Sequence, residues 1–157
     1  MNEGYNIEIN NQDIEKMMRA IELSKTSPET KTFRVGCVIT DKNGVVLETG
    51  YTGEQAGFHA EEIAIGKLKG QEEKAKGGSI FSAVEPCHPR KSGKTSCTEH
   101  ILRLNLARVL YVLDEPPIFV ECKGAETLRA KGLKVIKIEE FEQEVRKINQ
   151  HILNEKK

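Results

Sequence analysis

Ser79-Ile80-Phe81-Ser82-Ala83-Val84 and Val109-Leu110-Tyr111-Val112-Leu113 are two short, largely apolar runs, and the segment between them from Thr98 to Leu106 has helical spacing. Runs of this length and composition read as strands buried in a sheet. Two such strands joined through a helix imply a right-handed crossover, which makes them parallel. The alternation continues downstream: Cys122, Ala125 and Leu128 predict another helix, Leu133 to Ile138 another strand, and Phe141, Val145, Ile148 and Ile152 a terminal amphipathic helix. Upstream, Ala60, Ile63, Ala64 and Leu68 share one helical face. Ahead of that helix, Arg34 to Thr40 and Val45 to Gly50 read as strands around the turn residues Asp41-Lys42-Asn43-Gly44, an antiparallel hairpin. A first amphipathic helix runs from Gln12 to about Thr26, with Ile14, Met17, Met18 and Ile21 at helical spacing and Ser27-Pro28 closing it. The expected fold is an α/β three-layer α/β/α sandwich with a mixed sheet of about five strands. With no repeat, low-complexity tract or linker, residues 1–157 are expected to form one domain.

Composition narrows what such a domain does. The 157 residues hold 24 Lys plus Arg against 24 Asp plus Glu, so net charge offers no general attraction for a polyanion such as DNA. A small anionic ligand remains compatible. Nowhere do some eighteen apolar residues follow one another, and Met1-Asn2-Glu3-Gly4-Tyr5 resembles no export signal, so a cytoplasmic protein without a membrane partner is expected. In that setting four cysteines read as thiols or metal ligands.

Chemistry concentrates in His59-Ala60-Glu61, Glu85-Pro86-Cys87 and Cys97. One imidazole and two sulfurs leave a zinc ion with an open position, whereas a structural site would take a fourth Cys or His. His59 and Cys97 each fall at a helix start, where unsatisfied N–H groups favour thiolates and carboxylates. Residues two apart on a regular helix point in different directions. His59 is therefore expected to be a non-helical cap residue, with Glu61 in the first turn facing the same cavity. Two thiolates cancel much of the zinc charge, which leaves the ion a weaker acid toward water than a three-histidine site and makes a nearby base necessary. Glu61 is the residue placed to take a proton from water and return it to a ring nitrogen and a departing amine.

The pattern His59-Ala60-Glu61, Pro86-Cys87 and Cys97 resembles the zinc-dependent cytidine deaminase-like superfamily, with its H-x-E and P-C-x-x-C signature. Nine residues, His88 to Ser96, separate the cysteines here instead of two. That long spacing, with Gly93-Lys94-Thr95 inside it, is most similar to the pyrimidine deaminase domain of riboflavin biosynthesis. The flanks Val35-Gly36-Cys37-Val38-Ile39 and Gly124-Ala125-Glu126-Thr127-Leu128-Arg129-Ala130-Lys131-Gly132-Leu133 extend the likeness along most of the chain. Lengthening the chelate costs only about 1 kcal/mol of loop entropy, against the roughly 10–16 kcal/mol that zinc binding supplies in structural sites. The resemblance implies zinc held by His59, Cys87 and Cys97, proton transfer by Glu61, and a small heterocycle with an exocyclic amine as substrate. A riboflavin-pathway pyrimidine carrying ribosyl phosphate, or a related pyrimidine nucleoside or nucleotide, is the implied substrate class, and a homodimer or homotetramer the implied assembly. Arg90, Lys91 and Lys94 in the inter-cysteine loop are candidates to meet a phosphate, and the Ala60 backbone N–H is a candidate to orient the ring. Phe33 is a candidate to stack on the ring, with a core role as the alternative.

Two features depart from the riboflavin enzymes. Their Pro-Asn-Pro element is replaced by Thr32-Phe33-Arg34, and the reductase domain that many of them carry is not expected in a chain of this length. Other readings stay open at this level. The same chemistry serves tRNA adenosine and DNA cytidine deaminases, which neutral composition disfavours, and a zinc-stabilised interaction domain would not need Glu61. His88 is the other candidate ligand, although neighbours in extended chain point to opposite sides. Glu85 either holds its loop or contacts substrate. Cys37 reads as core, and Cys122 as a packing residue or an incidental thiol.

Overall fold

The computed structural model describes residues 9–29, 32–88, 90, 95–116 and 122–154. Its elements run α1 (Asn11–Thr26), β1 (Gly36–Thr40), β2 (Val46–Tyr51), α2 (Ala60–Lys67), β3 (Ser79–Val84), α3 (Cys97–Leu102), β4 (Arg108–Leu113), α4 (Gly124–Ala130), β5 (Lys134–Lys137), α5 (Glu142–Ile148) and α6 (Gln150–Asn154), with short 3-10 turns at Glu72–Ala75 and Glu139–Phe141. The sheet order is β2-β1-β3-β4-β5. β1 is antiparallel to both its neighbours, whereas β3, β4 and β5 are parallel to one another. This is the expected mixed five-stranded sheet. Ile80, Phe81, Val109, Leu110 and Val112 at its centre are almost wholly shielded from solvent.

Two glycines let helices lie against opposite faces of the hairpin. Residues paired across antiparallel strands share a face, and Gly36 pairs with Tyr51 while Cys37 pairs with Gly50. A Cβ on Gly36 would strike the Ala20 carbonyl of α1, and one on Gly50 would meet the Ala60 carbonyl of α2. α1 thus packs on one face and α2 on the other. α5 joins α1's layer, and α3 and α4 continue from α2.

The N-terminus of α1 is closed by a capping box in which Asn10 Oδ1 accepts from Asp13 N and Asp13 Oδ2 accepts from Asn10 N. Asp13 also receives both guanidinium arms of Arg108, at 2.9 and 3.0 Å, fastening α1 to the start of β4. Burial works to raise the Asp13 carboxyl, but the Arg108 and Asn10 hydrogen bonds outweigh it and hold it below the usual carboxylate range. The pair therefore contributes its full stability above the unfolded carboxylate pKa and loses it as pH falls through the depressed folded value. Arg108→Met is expected to cost about 2–3 kcal/mol at neutral pH by stranding a buried carboxylate. Urea titrations should show that deficit shrinking in acid; a deficit independent of pH would contradict this account.

Three elements differ from their sequence-based outlines. The helix expected to reach Leu106 ends at Leu102, because Asn105 adopts a left-handed conformation (φ 58°) and its carbonyl accepts from Gly77 N. Cys122 precedes α4 instead of lying on it, and its thiol donates to Pro86 O at 3.5 Å. The terminal helix is broken in two at Asn149. This fully buried amide accepts from Arg34 N at 2.6 Å and donates to Arg34 O and Val145 O, so a long-range demand on one side chain overrides the helical repeat. Val145 and Ile152, on either side of the break, still bury in the core.

Candidate active site

β3 ends at Val84, and the chain runs directly through Glu85 and Pro86 to Cys87. This places Cys87 at the carboxyl end of the parallel strands, where open α/β sheets assemble their sites. α2 and α3 deliver the remaining groups from their first turns. His59 has the extended backbone of a cap (φ −81°, ψ 157°), while Ala60 and Glu61 are the first helical residues, as the one-residue spacing requires. Glu62 anchors the cap by accepting the His59 backbone N–H at 2.7 Å. Ser96 caps α3 by accepting from Glu99 N, and Cys97 opens that helix.

The imidazole and both sulfurs meet. His59 Nδ1 lies 3.3 Å from Cys97 Sγ and 3.7 Å from Cys87 Sγ, and the three donor atoms all fall within 4.8 Å of one another. The Cys97 backbone N–H donates to Cys87 Sγ at 3.3 Å. The Cys97 thiol pairs with Cys87 and drives it well below an ordinary thiol, while the same pairing, reinforced by burial, holds Cys97 well above. Burial disfavours a charged His59, but its contact with Cys87 more than offsets this and raises the imidazole. A thiolate, a thiol and an imidazole packed this closely are the arrangement a thiophilic cation would replace. The donor set therefore fits zinc, with Nδ1 as the histidine ligand atom.

Glu61 is buried beside this group. Ser82 Oγ donates to its Oε2 at 2.7 Å, and the same hydroxyl lies 2.8 Å from Val84 O. When Glu61 takes up a proton, Ser82 can turn its own hydrogen toward Val84 O and accept from the acid. Burial pushes the Glu61 carboxyl up, opposed by the Ser82 bond. A carboxyl raised in this way holds a proton more readily than an exposed one.

All four groups open into one cleft. Phe33, Thr32, Val35 and Thr52 contribute to its lining from the segment before β1 and the end of β2, and Glu85 and Glu115 from the ends of β3 and β4. Phe33 is thus both largely buried and on the cleft. Glu85 does not offer its carboxylate to the cavity: Oε1 accepts from Glu115 N and Oε2 from Ala125 N, so it ties β3, β4 and α4 together.

Arg90 is placed differently from a free phosphate ligand. Its guanidinium pairs with Glu62 at 3.0 Å, both side chains largely buried, and reaches the carbonyls of Thr95 and Gly57. It is not among the residues lining the cleft. Ala60 also stands behind the lining, fully buried at the start of α2. Lys91 and Lys94 lie outside the described residues. His88 turns its Nδ1 to Ser96 Oγ at 3.0 Å and stays out of the three-donor group.

Several contributors escape a reading by motif. Ser82 is marked only by being a polar residue in a buried strand, and Glu62 only by standing three residues after a cap. Glu115 carries no local mark beyond the prolines that follow it. Gly124 is another: a Cβ there would strike the Pro86 carbonyl, next to Cys87. Gly124→Ala is expected to cost about 1–3 kcal/mol by overpacking and to lower bound zinc by displacing the Cys87 loop. Melting and metal analysis of the purified variant check both; full zinc content with an unchanged melt would refute the contact.

Fold and site together define a metal-binding α/β/α protein with a buried carboxyl beside the three-donor group. The family described as the cytidine and deoxycytidylate deaminase zinc-binding region matches residues 10–113. The chain belongs to this family. It is 40% identical over 126 residues to the diaminohydroxyphosphoribosylamino-pyrimidine deaminase of Schizosaccharomyces pombe, covering 78% of this chain and 31% of that protein. It is 36% identical over 126 residues to the protein of the same name from Buchnera aphidicola (subsp. Acyrthosiphon pisum), covering 78% and 82%. Among solved structures, the Thermotoga maritima diaminohydroxyphosphoribosylaminopyrimidine deaminase/5-amino-6-(5-phosphoribosylamino)uracil reductase superposes with a TM-score of 0.75 at 30% identity, over 89% of this chain and 40% of that one. The chain thus spans about a third of the length of several relatives that it matches.

Proposed function

We propose that this chain is a zinc-dependent aminohydrolase acting on a diaminohydroxyphosphoribosylaminopyrimidine, with His59, Cys87 and Cys97 as metal ligands and Glu61 as the proton carrier. The observation that carries this reading is the buried Glu61 carboxyl, held by Ser82, sharing a cleft with the three donors. A purely structural zinc site has no use for it. Bound there, zinc supplies the Lewis acidity that makes water nucleophilic at neutral pH.

The rest falls to the chain's own groups. Glu61 accepts a proton from the attacking water and passes protons to a ring nitrogen and to the departing amine. The water oxygen bonds to the ring carbon, the carbon–nitrogen bond breaks, and ammonia leaves. The uracil on which the reductase activity of the Thermotoga protein is named keeps amines at positions 5 and 6 and carries oxygens at 2 and 4, so the amine to be lost stands where one of those oxygens appears, and we assign it to position 2. Val84, Phe33 and Val35 limit water around the ring, and the Arg90–Glu62 pair fastens Arg90 to α2.

We place the enzyme in the cytoplasm as a homodimer or homotetramer acting on a small molecule, with Lys91 and Lys94 as residues that meet its phosphate. In support, all four cysteines are free thiols, and among the described residues no helix is long and apolar enough to cross a membrane. Ammonia release should be measured with the diaminopyrimidine phosphate, dCMP, cytidine, adenosine and pterins. Turnover of the first, at least tenfold faster in kcat/KM than any other, is the expected result. Zinc-loaded protein that turns over none of them would refute the reading.

A further inference from the structure

Glu115 is not used by the chemistry above, yet its side chain lines the same cleft. Its backbone is fixed on both sides: its N–H donates to Glu85 at 3.1 Å, and Pro116 follows and restricts it to extended conformations. The carboxyl itself meets no hydrogen-bond donor among the described residues. The other carboxyls of the cleft are engaged, Glu61 by Ser82 and Glu85 by two backbone amides. A half-buried carboxyl held in a fixed wall, with no donor among the described residues, is open to a ligand that brings donors to it.

Resting on the deaminase reading, we infer that Glu115 is the specificity-determining residue of the cleft, accepting hydrogen bonds from the vicinal N–H groups at positions 5 and 6 of the pyrimidine. That edge separates the two substrate classes associated with this family. Cytosine carries only carbon-bound hydrogens at positions 5 and 6, whereas the diaminopyrimidine presents an amine and a substituted amine. With position 2 facing Glu61 and the metal group, positions 5 and 6 lie across the ring. A carboxylate there gains two charge-assisted bonds from the diaminopyrimidine and none from cytosine. A site built to bond such groups discriminates strongly, because the wrong ligand leaves its polar group unpaired. Burial, with the negative charge of Cys87 next, pushes the free carboxyl up to about 8, and ring N–H donors are what would hold it ionised.

The test uses Glu115→Gln and Glu115→Ala in the zinc-loaded full chain, with the diaminopyrimidine phosphate and dCMP as probes. Both variants should lose roughly 10- to 100-fold in kcat/KM for the diaminopyrimidine, keep full zinc content, and change less than about threefold toward dCMP. The ratio between probes is the reading that a merely structural role would not move. Equal losses on both probes, or unchanged kinetics, would overturn the inference while leaving the deaminase reading intact. If neither probe is turned over by wild type, direct binding decides: affinity for the diaminopyrimidine that survives Glu115→Ala overturns the inference, and affinity lost with it supports the contact. That silence itself counts against the deaminase reading alone.

Discussion

Glu61→Gln is expected to retain bound zinc and to lower turnover by roughly 10²–10⁴-fold, the range for removing a positioned acid–base group. The amide keeps the size of the side chain and can still meet Ser82, so the fold and the metal group should be undisturbed. What it cannot do is accept and return a proton. The variant should therefore fall in kcat with little change in KM, and metal analysis should show about one zinc per chain, as a three-donor site requires. Undiminished ammonia release from Glu61→Gln would remove this residue from the mechanism and, with it, the argument against a purely structural metal site.

Cys97→Ala is expected to abolish both zinc binding and activity. Cys97 is almost fully shielded, opens α3, and lies against His59 Nδ1, so its loss leaves only two donors and no thiol pair. Zinc should raise the melting temperature of the wild-type chain, because a ligand that binds only the folded state stabilises it. That increment should vanish in Cys97→Ala while the metal-free variant still unfolds cooperatively, since the central strands of the core do not depend on the metal group. His88→Ala serves as the contrast: it loses a hydrogen bond to Ser96 and should keep its zinc. Stoichiometric zinc in Cys97→Ala, or loss of zinc in His88→Ala, would reassign the ligands.

Much of the architecture was legible because burial leaves a strong local trace. Ser79–Val84 is a strand over the full expected range, and the hairpin turn is set by Asp41, whose Oδ1 accepts from Asn43 N and Val45 N while Gly44 takes φ 87°. Strand–helix alternation sufficed for the parallel half of the sheet. The misjudged boundaries have a common cause. At Asn105 and Asn149 a side chain or backbone answers to partners far away in sequence, and no periodicity within the segment records them. The site divides in the same way. That His59, Cys87 and Cys97 gather is legible because zinc chemistry restricts residue types severely, whereas Arg90 reads in sequence as a candidate phosphate contact and its ion pair with Glu62 is set by packing.

The sequence by itself determined which residue types are present for metal binding and proton transfer, and the periodicities that sort strands from helices. These are local properties, set by the chemistry of single side chains and by backbone repeat. Only the tertiary structure decided that Nδ1 faces the two sulfurs, that Ser82 holds Glu61, that Glu85 is spent on backbone amides and that Glu115 is not. Those outcomes depend on distances between segments brought together by packing, and hydrogen bonds and ion pairs act only over such distances.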